Sequence, residues 1–203
     1  VTDNQSGIAS VTVQIGNNNP ITLTANEDGK YTFSMDCNDS FILTAVDAVG
    51  NSSTYADNEN HVDTTAPVIT DITRTEHSWT TAATYTFKVS DTQSGVAAVQ
   101  VKIGNADPVI LTVGENGQYS FTLTSNTAFQ IVANDFVGNT ATSSGEETLV
   151  DTTAPTISPL VRNENAWATS ATYSFTVSDT QSGVAKVTLT LGSGNPTVLT
   201  PDD

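Results

Sequence analysis

The chain has 203 residues, with 6 Lys and Arg against 22 Asp and Glu, a formal net charge of −16. So few cations cannot neutralise a run of phosphates, so the expected partners include neither nucleic acid nor an anionic membrane surface. No apolar run approaches the ~20 residues that span a bilayer, so no membrane insertion is expected. Val1 to Ser10 lacks the basic stretch and apolar core of a signal peptide, and the single cysteine, Cys37, can form no disulfide within the chain.

The chain repeats itself, and the repeat decides how it is read. Asp63-Thr64-Thr65-Ala66-Pro67 recurs as Asp151-Thr152-Thr153-Ala154-Pro155, an offset of 88, and Ser90 to Ala97 recurs at the same offset as Ser178 to Ala185. Asp3, Gln5, Ser6, Gly7 and Ala9 are that second motif one period earlier. Asp47-Ala48-Val49-Gly50-Asn51 likewise matches Asp135-Phe136-Val137-Gly138-Asn139. Residues 63–115 and 151–203 are identical at 28 of 53 positions, which makes them copies of one unit. Three domains are expected: 1–62, N-terminally incomplete; 63–150, complete; and 151–203, C-terminally incomplete. Either the sequence is a section of a longer array, or incomplete units complete one another between chains; the first is the simpler reading.

Within the unit the apolar residues alternate with period two, as in Tyr85-Thr86-Phe87-Lys88-Val89, Val99-Gln100-Val101-Lys102-Ile103 and Tyr119-Ser120-Phe121-Thr122-Leu123. No segment carries an apolar stripe at helical spacing, and the abundant Thr and Val suit half-buried pleated positions. In chain order the pattern predicts strands near 68–74, 83–89, 96–103, 108–113, 117–124, 128–134 and 140–149. Gln93-Ser94-Gly95, the run from Gly104 to Pro108, Glu115-Asn116-Gly117 and Val137-Gly138-Asn139 mark turns. Seven short antiparallel strands per 88-residue repeat predict an all-β chain of tandem Ig-like or fibronectin-type β-sandwich domains. The expected inward set is Tyr85, Phe87, Val99, Val101, Tyr119, Phe121, Phe129 and Ile131. Trp79 and Trp167 occupy matching positions before the second strand, where a core or edge plug is the simpler reading and a sugar platform the sharper one.

A unit that opens with Asp-Thr-Thr-Ala-Pro, carries Ser-Asp-x-x-Ser-Gly-Val-Ala after its second strand and ends with Asp-x-x-Gly-Asn resembles the bacterial Ig-like tandem repeats of giant surface adhesins. The resemblance covers the whole chain. It implies an extracellular, bacterial cell-surface location, a stalk role in cell adhesion, and neighbouring repeats of the same secreted polypeptide as partners. It also implies, for some members, calcium at the junctions between repeats.

The repeated carboxylates bear on that last implication. They are Asp63 and Asp151 in the linker, Asp3, Asp91 and Asp179 in the turn after the second strand, and Asp47 and Asp135 in the turn before the last strand. In an Ig sandwich the entering linker lies beside those two turns, so Asp63, Asp91 and Asp135 are expected to converge, with Asp151 and Asp179 as the same set in the third unit. Calcium takes 6–8 oxygen ligands and suits such a set. Against this, Asp is also a good turn residue that bonds its own backbone two residues on, and no compact EF-hand loop is present. Asp28, Asp57, Glu59, Glu146 and Glu147 read as solvated surface, and Arg74 with Glu76, and Arg162 with Glu164, as surface ion pairs.

Nothing in the sequence points to catalysis, and no enzyme is expected. His61 and His77 occupy no matching positions across the copies, and Cys37 has no Cys or His at zinc-ligand spacing. Lys30, Lys88, Lys102 and Lys186 occupy no common position, which excludes an isopeptide crosslink built into every repeat. Three functions remain: a structural stalk stiffened by calcium or by packing, a carbohydrate- or protein-binding module, and a filament subunit that uses strand complementation with other copies of itself.

Overall fold

The computed structural model describes residues 1–201; residues 202 and 203, the end of the third expected domain, lie outside the described residues. The strands are β1 (Ile8–Ile15), β2 (Ile21–Leu23), β3 (Ser40–Asp47) and β4 (Ser52–Asn58) in the first repeat. The second repeat holds β5 (Val68–Arg74), β6 (Ala83–Ser90), β7 (Val96–Ile103), β8 (Val109–Leu111), β9 (Tyr119–Leu123), β10 (Thr127–Asp135) and β11 (Thr140–Glu147). The third holds β12 (Thr156–Ile157), β13 (Val161–Arg162), β14 (Tyr173–Ser174), β15 (Val177–Ser178), β16 (Val187–Leu189) and β17 (Thr197–Leu199). The described residues form no helix long and apolar enough to cross a membrane.

The chain divides into two compact units. One holds Val1–Val68, Ser90–Ala98 and Ala133–Ala141; the other holds Ile69–Val89, Val99–Val132 and Thr142–Asp203. In the first, β2-β1-β3-β4 form an antiparallel sheet in that order, with Val13 opposite Leu43 and Leu43 opposite Tyr55. In the second repeat the strands form two sheets, β5-β6-β9 and β11-β10-β7-β8. The four strands of the first repeat sit one period before β8, β7, β10 and β11 and are ordered as they are, so one sequence pattern produces one sheet twice.

All seven strands expected in the complete repeat are present. Three are shorter than the alternation predicts, β9 among them at Tyr119–Leu123. β8 stops at Leu111, and the amide of Gly114 then bonds the carbonyl of Gln118 at 2.8 Å to close the next turn. β11 stops at Glu147 because its Oε1 takes the amides of Thr148 (3.0 Å) and Leu149 (2.6 Å), which leads the chain away from the ladder.

Alternation places large side chains between the two sheets. Phe87 and Ile131 are wholly buried, and Val99, Val101, Phe121, Phe129 and Leu123 nearly so. Burying such a side chain stabilises by about 1.5–3 kcal/mol. Phe129 on β10 joins the sheets, with its ring centroid 4.7 Å from Tyr85 and 4.9 Å from Phe121. Tyr85 and Tyr119 are half-buried members of the same cluster, stacked on Phe121 and Phe87. The core is therefore the inward set that period two predicts, and it makes a β-sandwich without a disulfide. Trp79 is 38% exposed and Trp167 fully exposed, so neither belongs to that core.

Small residues on β11 make room for the aromatic ring. A Cβ on Gly145 would stand 2.5 Å from Cζ of Phe129. Gly145→Ala, a change that ordinarily favours a strand, should instead destabilise the fold by about 1–3 kcal/mol through overpacking. Urea unfolding measures this.

Candidate metal centre

Each repeated aspartate shapes its own turn. Asp91 follows β6, and its Oδ1 accepts the amides of Gln93 (3.1 Å) and Gly95 (2.7 Å). Gly95 has φ +85, a left-handed backbone that an L side chain rarely adopts, which is why the turn carries glycine there. Asp135 ends β10. Its Oδ1 accepts the amides of Val137, Gly138 and Asn139 at 2.7–3.0 Å, and its Oδ2 the side-chain amide of Asn139 at 2.7 Å. Asp63 accepts the amide of Thr65 at Oδ1 and that of Ser94 at Oδ2, both at 2.9 Å.

Further bonds stitch the linker to both turns. Thr65 Oγ1 donates to Gln93 Oε1 at 3.0 Å, and Asn139 Nδ2 reaches the carbonyl of Asp63 at 3.2 Å. The amide of Phe136 bonds the carbonyl of Gly95 at 3.3 Å, tying one turn to the other. The three segments lie in one compact unit, and one carboxylate oxygen from each of Asp63, Asp91 and Asp135 lies within 4.8 Å of the other two. No Lys or Arg occurs in 60–66, 90–98 or 133–141 to balance them.

The surroundings favour the charged forms. The Ser94 hydroxyl beside Asp63, with the Thr65 amide, holds the Asp63 carboxyl below its ordinary range. Burial, with Asp135 only 3% exposed, pushes the Asp135 carboxyl up, but the donors from Asn139, Gly138 and Val137 outweigh it and the net direction is down. Two oxygens have capacity to spare among the described residues. Asp91 Oδ2 receives no hydrogen bond, and the buried Ser94 Oγ lacks a well-formed one. An all-oxygen donor set of this charge fits a hard cation such as calcium and not a thiolate- or imidazole-seeking metal.

The other expected ligands repeat parts of this arrangement. Asp151 accepts the amides of Thr153 (2.8 Å) and Ser182 (2.9 Å), and Asp179 those of Gln181 (3.0 Å) and Gly183 (2.8 Å). The Ser182 hydroxyl leads the groups that lower the Asp151 carboxyl, as Ser94 does for Asp63. In the first repeat Asp3 accepts the amides of Gln5 and Gly7, and Asp47 those of Val49 and Asn51. The charge of Asp47 raises the Asp3 carboxyl, although the amides of Gln5 and Gly7 keep it low overall. Only Asp63, Asp91 and Asp135 assemble as a trio among the described residues.

The structure corrects three readings of the charged residues. Glu147 is not solvated surface: it is 2% exposed, and its Oε2 accepts Arg74 Nε at 2.7 Å and the Tyr85 hydroxyl at 3.1 Å. Arg74 therefore pairs with Glu147 and not with the Glu76 carboxylate, which instead takes the amide of Thr84 at 2.8 Å. Arg162 likewise donates to the backbone carbonyls of Glu164 and Ala166, while the Glu164 carboxylate takes the amide of Thr172. A signal for the buried pair was available. Glu59 stands one period before Glu147, and Ala141, Ser143, Gly145 and Glu147 share the inward face of β11. Cys37 is exposed and free.

Comparison with protein-family models and with curated proteins returns no match to this chain.

Glu147 supplies the pH prediction. Burial raises its carboxyl, and the Arg74 guanidinium, the Leu149 amide and the Tyr85 hydroxyl more than reverse this, so its folded pKa lies below the ordinary value of 4.5. A depressed acid contributes stability that is present above its unfolded pKa and is lost as pH falls through its folded one. Glu147→Gln should cost about 3–5 kcal/mol at neutral pH, because Arg74 is left buried without its counter-charge. It should also flatten the fall in stability below about pH 4.5. Denaturant unfolding across a pH series checks both.

Proposed function

We propose that this chain is a non-enzymatic stalk section of a bacterial extracellular adhesin or surface protein, built of tandem Ig-like domains and stiffened by calcium where the chain enters a domain. One observation carries the reading: linker, first turn and second turn each bring one carboxylate of Asp63, Asp91 and Asp135 to a common point. Bound there, calcium supplies the positive charge that three converging carboxylates otherwise lack. Asp63, Asp91 and Asp135 would hold it, with Ser94 Oγ as a further oxygen.

The chain's own residues account for the rest of the role. Asp63 to Pro67 is too short for a flexible tether, and it is fixed by Asn139, Gln93 and Ser94. Pro67 is buried, which anchors the start of β5. A linker held in this way transmits orientation and force along the chain, which is what a stalk requires. The repeated carboxylates lie at the entry to a domain, where a catalytic pair has no use.

Thermal unfolding in calcium and in EDTA tests the proposal. Calcium at a hundredfold excess over its Kd should raise stability by ~2.7 kcal/mol. Asp91→Asn, which keeps the Oδ1 acceptor of the turn and removes the charge, should lose that increment while folding normally in EDTA. Superimposable melts of the parent chain in the two buffers would contradict a calcium-stiffened stalk.

A further inference from the structure

Side-chain amides, and not only aspartates, hold the chain where one repeat passes into the next. At the end of the first repeat Asn38, in the loop before β3, meets Val62, the residue that precedes Asp63. Asn38 Oδ1 accepts the Val62 amide and Asn38 Nδ2 donates to the Val62 carbonyl, both at 2.8 Å. The same carbonyl accepts Gln93 Nε2 at 3.4 Å, from the turn after β6 in the following repeat. Gln93 Oε1 in turn accepts the Thr65 hydroxyl at 3.0 Å, so one side chain spans the linker from Val62 to Thr65.

The next joint is made from the same residue types at the same spacing. Asn126, in the loop before β10, accepts the Val150 amide at Oδ1 at 2.8 Å. Gln181 Nε2 donates to the Val150 carbonyl at 3.5 Å, and Gln181 Oε1 accepts the Thr153 hydroxyl at 3.2 Å. In both joints the Asn stands 24 residues before the valine and the Gln 31 residues after it. Every partner of the first joint lies within one compact unit, and every partner of the second within the other. A set of bonds that recurs in this way belongs to the repeat and not to one turn. The chemistry accounts for the residue types. A side-chain amide offers an acceptor and a donor, so Asn38 brackets both backbone groups of one residue as a neighbouring strand would. Gln93 accepts a hydroxyl while it donates to a carbonyl, which Glu cannot do, and Glu would add a further negative charge to the turn that holds Asp91. Rotation of the linker at Val62 swings its carbonyl away from both neighbours at once.

We infer that the Asn-bearing loop of one repeat and the Gln-bearing turn of the next are complementary contact surfaces, joined through the valine peptide, which fix the joint before any cation binds. The partner that each surface fits is a neighbouring repeat of the same kind. Asn38 and Gln93, and Asn126 and Gln181, are positioning residues: they hold Val62 and Val150, and through them the linker that carries Asp63 and Asp151. The inference rests on the tandem arrangement of the stalk proposal and not on its calcium.

Amide hydrogen exchange of the 203-residue chain in EDTA, read residue by residue by NMR, tests the inference. The Val62 and Val150 amides should be protected. Asn38→Ala should speed exchange at Val62 about tenfold and leave Val150 unchanged, and Asn126→Ala should do the reverse. Gln93→Met and Thr65→Val should each speed exchange at Val62 and Ser94 by about threefold or more. Because the two side chains act through one bond, the double variant should go no further than either single one, and Thr65→Ser should match the parent. Gln93 and Thr65 are exposed, so this pair keeps the test decisive if an Asn variant folds poorly. Unprotected Val62 and Val150 amides in EDTA, or additive effects of Gln93→Met and Thr65→Val, would overturn the inference. Protected joints in a chain that binds no calcium would uphold it while the calcium of the stalk proposal failed.

Discussion

Three carboxylates held together where the chain enters its complete repeat impose the constraint on which the rest of the arrangement depends. Asp63, Asp91 and Asp135 each accept backbone amides, so none can turn away without undoing the linker or a turn. Their mutual repulsion is a consequence of the hydrogen bonding that makes the loops. Elsewhere in the complete repeat Phe129, Tyr85 and Phe121 lock one sheet on the other. A cation at the trio would turn a local cost into a local tie.

The strands and core were legible because each depends on a local rule. Alternation fixes which side chains face inward, and turn residues fix where a strand stops, so Phe87, Val99, Val101 and Ile131 are placed in the core by the sequence pattern alone. The meeting of Asp63, Asp91 and Asp135 was legible for another reason: a sandwich topology brings two loops and an entering linker to one end. What alternation cannot supply is the polarity of a buried position. Glu147 stands on the inward face of β11, where period two expects an apolar residue, and its charge pointed to surface. Its partner Arg74 lies 73 residues away, so no local spacing pairs them. The copy at Glu59 was the available clue, since a charge repeated at an inward position needs a partner in every copy.

The repeat also explains why a buried ion pair is suited to this chain. Apolar half-surfaces alone tolerate slippage, because a strand displaced by two residues still presents the same face. A single buried pair with a hydroxyl donor accepts one alignment only. Arg74, Glu147 and Tyr85 therefore tie β5, β11 and β6 in a fixed register in a domain with no disulfide.

Calorimetric titration of the chain with calcium chloride addresses the charged entry to the domain most directly. Saturable binding with a Kd of roughly 10⁻⁴–10⁻³ M, as for weak extracellular modules, is expected, and its loss in Asp91→Asn. No saturable heat, or the same isotherm in parent and variant, would mean that Asp63, Asp91 and Asp135 are turn residues and nothing more.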